Sequence, residues 1–229
     1  MCGRYNVIPS AQAFIDAFDI VSGAELLPDE PRYNIAPGTD KHPTLVPIVR
    51  QSDKGRELAM VRWPLIPYWA KGKQVDYSTA NAKGETLAEK PTYKNAWQKR
   101  RCLIPASGYY EWRKVPGQKN KQPYHIKLHN QELFAFAGLW ERSKQEDGVA
   151  VESCTIVTTT PAETIAFIHT RMPVILLQTA YPEWLTGSTD DAEKWIKPID
   201  EVTLDAEPIS TYVNNPLHND ARCLSRASS

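Results

Sequence analysis

The segment Cys102-Leu-Ile-Pro-Ala-Ser-Gly-Tyr-Tyr-Glu-Trp112 decides the fold class of this chain. It contains two runs of strand length that are rich in apolar or aromatic residues, and the second run alternates sides at Tyr109 and Glu111. Gly117 and its polar neighbours then predict a turn, from which another strand returns over residues 124–128. The segment therefore predicts neighbouring strands joined by a hairpin.

Further short elements are predicted on both sides of this segment. Apolar runs predict strands at residues 44–49, 57–63, 134–140 and 154–159. Helical spacing predicts short helices at residues 10–19 with Ser10 as N-cap, at 85–97 with a break at Pro91, and at 162–168. We therefore expect a mixed α/β, mainly β single domain, with a curled, barrel-like sheet and peripheral short helices.

Length and composition exclude several classes of protein. The chain has 229 residues with 18 prolines and 11 glycines, which favours short strands over long helices. It has no apolar run of the ~18 residues that a membrane span requires and no N-terminal signal pattern, so we expect a cytoplasmic protein. Its four cysteines form no C-x-x-C pair and lack histidines at zinc-site spacing, so we expect reduced thiols and no metal.

Charge is unevenly distributed along a chain whose formal net charge is zero. Residues 62–121 hold thirteen Lys or Arg and four acids, whereas residues 181–207 hold eight acids and two lysines. Such asymmetry builds a basic face on a neutral molecule, as phosphate binding requires. The alternative is a solvated surface neutralised by salt bridges.

Cys2 directly follows the initiator methionine in Met1-Cys-Gly-Arg-Tyr5. A side chain this small in second position permits removal of Met1, which would leave an α-amine and a thiol on one residue. An α-amine titrates near pH ~8 and a free thiol near ~8.5, so both are partly nucleophilic at neutral pH. Such a 1,2-aminothiol attacks an aldehyde twice, through a Schiff base and then by closing a thiazolidine ring. The alternative is an ordinary residue in a flexible terminus.

Three further polar residues stand in sequence contexts suited to chemistry. Glu111 lies in an aromatic-rich strand, where a buried carboxylate is a candidate for proton transfer. His169 follows a predicted helix and precedes a proline-ended turn, a position that offers its imidazole to a cleft. The amide of Asn81 both donates and accepts hydrogen bonds, so it can hold a hydroxyl or a carbonyl. A structural role is the alternative for each.

Three aromatic residues in Trp63-Pro-Leu-Ile-Pro-Tyr-Trp69 offer flat faces on which bases could stack. They are Trp63, Tyr68 and Trp69, and Arg62 and Lys71 lie among them. Packing in the core is the alternative for aromatic residues in a proline-rich segment.

Six short motifs follow one another along the chain. They are Met1-Cys-Gly-Arg-Tyr5, Tyr33-Asn-Ile-Ala-Pro-Gly38, Asn81-Ala-Lys-Gly-Glu-Thr86, Cys102-Leu-Ile-Pro-Ala-Ser-Gly-Tyr-Tyr-Glu-Trp112, Phe136-Ala-Gly-Leu-Trp140 and His169-Thr-Arg-Met-Pro173. This series resembles the SRAP (SOS-response-associated peptidase-like) family. The resemblance implies an SRAP fold over residues 2–215 and a C-terminal tail over residues 216–229.

The resemblance implies a sensor that crosslinks itself to abasic sites in single-stranded DNA. We further expect a bacterial protein that acts as a monomer, associates with the nucleoid on damaged DNA and uses no metal or cofactor. Cys2 would form the thiazolidine with the ring-opened sugar, and Asn81 would hold the amine and the sugar. Glu111 would move protons, and His169 would assist opening of the deoxyribose ring. The residues expected to contact DNA are Arg4, Trp63, Tyr68, Trp69, Lys83 and Lys90.

Two residues depart from the pattern of the family. Lys83 replaces the usual arginine of Asn-Ala-Arg, which keeps the charge but loses a bidentate grip on phosphate. Pro64 replaces the usual glycine after Trp63 and stiffens that loop. Both changes bear on DNA affinity more than on crosslinking.

Two other functions fit the same residues. In the first, Cys2 is the nucleophile of an N-terminal-cysteine peptidase, in its limited form one that removes Met1. In the second, the aromatic loop reads modified bases without a covalent bond. Strand cleavage from the Schiff base, a lyase reaction, is also chemically open.

Overall fold

Short strands make up most of the regular structure in the computed structural model, which describes residues 2–199 and 203–227. The strands are β1 Arg4–Val7, β2 Ile20–Ser22, β3 Arg32–Ile35, β4 Thr44–Ser52, β5 Gly55–Trp63, β6 Asn81–Lys83, β7 Arg101–Ala106, β8 Gly108–Arg113, β9 Gln122–Leu128, β10 Phe134–Lys144, β11 Ala150–Thr159, β12 Met172–Pro173, β13 Ile175–Leu176 and β14 Leu204–Pro208. The α-helices are α1 Ala11–Phe18, α2 Pro91–Lys99, α3 Tyr181–Thr186 and α4 Thr189–Glu193. The 3₁₀ helices are Ala24–Leu26, Gly84–Thr86, Glu163–Ile165, Gln178–Ala180, Thr211–Asn214 and Ala221–Leu224.

Five strands close into a barrel in the order β4-β5-β11-β10-β7. Four of the pairings around the ring are antiparallel. The fifth is a short parallel contact between β5 and β11 at Arg62 and Ser153, and it closes the ring. Closure leaves these strands no free edge along the ring. The expectation of a mainly β domain with a curled, barrel-like sheet is confirmed.

A second sheet, in the order β14-β9-β8-β1-β3, packs against the barrel. Tyr5 of β1 lies opposite Tyr109 of β8, and both rings make edge contacts with Phe136 of the barrel, at 5.7 and 5.9 Å. Side chains alternate along a strand, so Glu111 shares the barrel-facing side with Tyr109. Tyr110 points the other way, into a small apolar cluster with Val213 and the residues around it.

The predicted strands are confirmed, and the predicted helices are confirmed in part. The helix at residues 10–19 exists as α1, and the Ser10 hydroxyl accepts a hydrogen bond from the backbone of Ala13. For the helix predicted at 85–97, the break at Pro91 is confirmed, whereas the helical part before it is wrong, because α2 begins at Pro91 and only a 3₁₀ turn precedes it. Proline suits the first helical turn, where its missing N–H has no partner in any case.

The helix predicted at residues 162–168 is also wrong. Only Glu163–Ile165 is helical, and its geometry is 3₁₀. Ile165 and Ile168 are buried three positions apart, and a 3₁₀ turn brings such positions onto one side. One tight turn therefore buries both isoleucines without a longer helix.

In the part of the chain that the structure describes, no helix combines the length and the apolar character that crossing a membrane would demand.

One buried guanidinium fastens two helices to the barrel. Arg101, at the start of β7, donates to the carbonyl oxygen of Trp97 in α2 at 2.9 Å. It also donates to the carbonyl oxygen of Trp184 in α3 at 2.6 Å, and to that of Gly187 just beyond α3. The last carbonyl groups of a helix lack partners within the helix and carry partial negative charge, so one cation satisfies both helix ends.

Replacing this cation should destabilise the protein. We expect Arg101→Met to lower the free energy of unfolding by about 3 kcal/mol, because it strands buried carbonyl groups. Urea unfolding measures the difference, with the exposed Arg142→Met as control, for which a change within about 0.5 kcal/mol is expected. Equal destabilisation by the two substitutions would contradict the capping role of Arg101.

Candidate active site

A cleft of about 540 Å³ opens where the start of β1 meets the end of β8. It is lined by Gly3, Arg4, Glu111, Trp112, Lys121, His169 and Asn214. Three of the residues singled out from the sequence, Arg4, Glu111 and His169, therefore share one cavity. Cys2 lies directly before the lining residue Gly3.

Asn81 connects the barrel to Cys2. Its side-chain amide donates to the carbonyl oxygen of Cys2 at 2.9 Å. Asn81 begins β6, which pairs in parallel with β11 opposite Ile156, and the Tyr93 hydroxyl donates to its backbone carbonyl at 3.3 Å. Within the described residues the buried Oδ1 of Asn81 accepts no hydrogen bond. This oxygen is therefore held beside Cys2 and can still accept a hydrogen bond.

The thiol of Cys2 is buried and electrostatically disfavoured as a thiolate. Its sulfur lies 3.7 Å from the carbonyl oxygen of Arg4. Burial raises the pKa of the Cys2 thiol well above its ordinary value, and the negative charge of the Glu111 carboxylate raises it further by a smaller amount. The thiol is therefore protonated at neutral pH.

Glu111 lies in the same buried environment. Its side chain is on the barrel-facing side of β8, and the residue is 4 % exposed while still lining the cleft. Its charge acts electrostatically on the Cys2 thiol, which places the carboxylate in the neighbourhood of Cys2. Low local dielectric strengthens such an interaction.

The imidazole of His169 is held by the turn that follows it. The backbone of Arg171 contacts the ring at Nδ1, with its nitrogen at 3.0 Å and its carbonyl oxygen at 3.2 Å from that atom. The Arg171 guanidinium forms a bidentate pair with Glu85, at 2.6 and 2.8 Å, and donates to the carbonyl oxygen of Thr158 at 2.7 Å. These bonds tie the turn that carries His169 to the segment that follows Asn81.

Arg4 is fixed by a neighbour that sequence reasoning missed. Its guanidinium donates to Oδ1 of Asn34 at 3.0 Å and to the carbonyl oxygens of Val213 and Asn214 at 2.9 and 3.3 Å. The amide of Asn34 itself donates to the carbonyl oxygens of Val213 and Asn215. Asn34 lies in the Tyr33-to-Gly38 motif, which was the available signal for its role.

Trp112 and Asn214 form a further part of the cleft wall that was not foreseen. The Trp112 indole N–H donates to Oδ1 of Asn214 at 2.7 Å, and the Arg4 guanidinium lies 5.7 Å from the centre of the Trp112 ring. Trp112 belongs to the Cys102-to-Trp112 motif, but nothing in the sequence indicates its bond to a residue more than a hundred positions away.

The structure removes Trp63 from the candidate DNA contacts. The residue is 1 % exposed, and its ring packs edge-on against Tyr5 at 5.6 Å, so no face is open to a base. Its indole N–H donates at 2.9 Å to the carbonyl oxygen of Ala80, the residue before Asn81. Trp63 therefore supports the site from the core.

The other candidate DNA contacts lie at the surface. Tyr68 and Trp69 are 51 % and 47 % exposed in the loop after β5. Lys83 and Lys90 are exposed on either side of the turn that contains Gly84–Thr86. Among the described residues no group of three or more His, Cys, Asp or Glu side chains is arranged to hold a metal ion.

Proteins of known sequence share this chain's pattern over nearly its whole length. "Abasic site processing protein YoaM" of Bacillus subtilis is 38 % identical over 227 residues, covering 98 % of this chain and 97 % of that protein. "Abasic site processing protein HMCES" of Rattus norvegicus is 31 % identical, covering 99 % of this chain and 76 % of its own length.

The fold has a solved counterpart and a matching family model. The crystal structure of a protein from Bacteroides thetaiotaomicron superposes with a TM-score of 0.83 at 27 % identity, covering 99 % of this chain and 100 % of that one. The model of the family described as "SOS response associated peptidase (SRAP)" matches residues 1–216. This chain belongs to the SRAP family.

Proposed function

We propose that this protein captures abasic sites in single-stranded DNA as a covalent adduct on Cys2. The observation that carries the proposal is the contact between the Asn81 amide and the backbone of Cys2, next to a cleft lined by Glu111 and His169. Relatives that match almost the whole chain are named abasic site processing proteins, which supports the same substrate here.

The reaction begins after Met1 is removed and the α-amine of Cys2 is free. The amine attacks the C1′ aldehyde of the ring-opened sugar, and the carbinolamine loses water as the C=N bond of the Schiff base forms. The sulfur then adds to the same carbon, the thiol proton passes to the nitrogen, and the C=N bond becomes a C–N single bond. The product is a thiazolidine, with one water released.

The side chains around Cys2 have separate tasks in this sequence. The open Oδ1 of Asn81 accepts a hydrogen bond from the amine or from the sugar hydroxyl. Glu111 accepts and returns the protons that move during the loss of water. The imidazole of His169, which lines the cleft, is suited to donate a proton to the ring oxygen of the closed deoxyribose, which opens the aldehyde form.

The state of the thiol favours attack by the amine first. A cysteine peptidase needs a thiolate as its nucleophile, whereas burial and the Glu111 charge raise the pKa of the Cys2 thiol. In the thiazolidine route a neutral thiol is sufficient for the second step, since its proton goes to the nitrogen. Because a peptidase requires a thiolate and the thiazolidine route does not, the protonated thiol argues against hydrolysis of added peptides.

The DNA strand would reach the cleft over the exposed residues Tyr68, Trp69, Lys83 and Lys90. Tyr68 lies against Ser143, opposite Val151 on β11, whereas Asn81 lies opposite Ile156. Five residues of strand span about 17 Å, so a base on Tyr68 would lie a few nucleotides from the lesion.

We assign this activity to a cytoplasmic monomer that uses residues 2–215 as its working domain and residues 216–229 as a tail.

Substitution of Cys2 separates the two steps of the reaction. Cys2→Ala keeps the α-amine and loses the sulfur, so we expect no stable adduct with an abasic oligonucleotide. The same variant should still be trapped on the DNA by borohydride, which reduces the Schiff base. Intact-mass measurement reports both results.

Two matched chains complete this experiment. Cys223→Ala, which removes a buried thiol far along the sequence, should form the adduct at the wild-type level. A chain with one glycine inserted between Met1 and Cys2 should form none, because its amine and thiol are on different residues. A stable adduct from Cys2→Ala, or none from wild type, would refute the proposal.

Glu111→Gln should change two reactions of Cys2 in opposite directions. Loss of the proton carrier should slow adduct formation about 100-fold. Loss of the negative charge should lower the pKa of the thiol and speed its alkylation by iodoacetamide at pH 8 about two- to tenfold. Peptide mass spectrometry measures the alkylation of Cys2, and slowing of both reactions would indicate a misfolded site.

A further inference from the structure

The hairpin that joins β8 to β9 is cationic and has no acidic residue. Residues 112–131 contain no Asp or Glu. We call the four cations of this hairpin, Arg113, Lys114, Lys119 and Lys121, the hairpin arm. In the described part of the chain none of the four belongs to an ion pair, whereas other surface cations such as Lys194 and Arg222 have carboxylate partners. The charge of the arm is therefore not neutralised within the protein.

Two lysines of the hairpin arm leave the sheet at the same level. The last pair of the β8–β9 ladder joins Arg113 to Gln122. Lys114 directly follows that pair on one strand and Lys121 directly precedes it on the other. Like charges at opposing positions repel, so an anion bound between them would be stabilised by both.

The hairpin arm lies at the edge of the cleft that contains the candidate catalytic groups. Lys121 lines this cleft together with Glu111 and His169. A strand of DNA whose abasic residue reaches Cys2 would therefore pass within reach of the arm on one side.

An exposed aromatic ring stands beside the arm. Phe167 is 50 % exposed, two residues before His169. The Arg113 guanidinium lies 5.0 Å from the centre of its ring, and Tyr124 packs against it edge-on at 5.6 Å. A fixed aromatic face next to unpaired cations is the combination that binds single-stranded nucleic acid, through a stacked base and its neighbouring phosphates.

We propose that the hairpin arm binds the phosphates of the DNA strand on one side of the abasic residue, with Phe167 as the stacking face for a base there. The inference rests on the proposed function, because the occupant is the strand that Cys2 captures. It adds a contact surface on β8, β9 and the His169 segment, separate from the loop that carries Tyr68 and Trp69.

The test is the salt dependence of binding to a lesion-free single-stranded oligonucleotide. Each phosphate contact contributes about 0.7 to the slope of log K against log salt concentration for single strands. The double variant Lys114→Gln/Lys121→Gln should therefore show a slope shallower by about 1.4, with weaker binding at low salt. Fluorescence anisotropy across a salt series measures both quantities.

Two controls separate phosphate binding from a general loss of charge. Lys54→Gln/Lys99→Gln removes two exposed lysines outside the hairpin and should leave the slope at the wild-type value. Lys114→Arg/Lys121→Arg keeps the charges and should also keep the slope. Equal slopes for the hairpin variant and wild type, or equal losses in both glutamine variants, would overturn the proposal.

The two proposals fail in different experiments. If wild type forms no adduct with abasic DNA, the crosslinking proposal is wrong, while the slopes on lesion-free DNA still decide the role of the arm. If the hairpin variant forms the adduct at saturating DNA and keeps the wild-type slope, only the proposal that the hairpin arm binds phosphates is wrong.

Phe167→Ala should weaken binding about fivefold without changing the slope, since a stacked base carries no charge. Unchanged affinity would exclude Phe167 as the stacking face.

Discussion

The hydrogen bond from the Asn81 amide to the Cys2 carbonyl joins the two halves of the molecule. Asn81 belongs to a three-residue strand on the outside of the barrel, and Cys2 precedes the first strand of the second sheet. The bond forms only when the sheets are packed together, as they are through Tyr5, Tyr109 and Phe136. Geometry at the N-terminus therefore depends on the core of the whole domain.

The site combines a reactive residue with surroundings that restrain it. Burial and the Glu111 charge keep the Cys2 thiol protonated, which reduces its reactivity towards oxidants and electrophiles in general. In the proposed reaction, an aldehyde that first condenses with the amine would bring its own carbon next to the sulfur, and the ring would then close within one molecule. Proximity would thereby replace thiolate character as the source of rate. Such an arrangement would favour aldehydes over other electrophiles.

The sequence predicted the features that depend on local pattern and missed those that depend on backbone atoms brought together from afar. Strand alternation placed Glu111, and the Ser10 cap placed α1, because both signals are confined to a few residues. The family resemblance placed Trp63 among the DNA contacts, but its indole donates to the carbonyl oxygen of Ala80 and the residue lies in the core. The carbonyl groups that fix Arg4 come from residues 213 and 214, and no spacing in the sequence marks them.

The bonds from Arg4 to the carbonyl oxygens of Val213 and Asn214 join residues 209 and 210 positions apart. Contacts of such long sequence separation are slow to form, because a long loop must close before they are made. Until that loop has closed, β1 lacks part of its support. The burial of Cys2 is therefore a property of the completed fold rather than of its neighbours in the sequence.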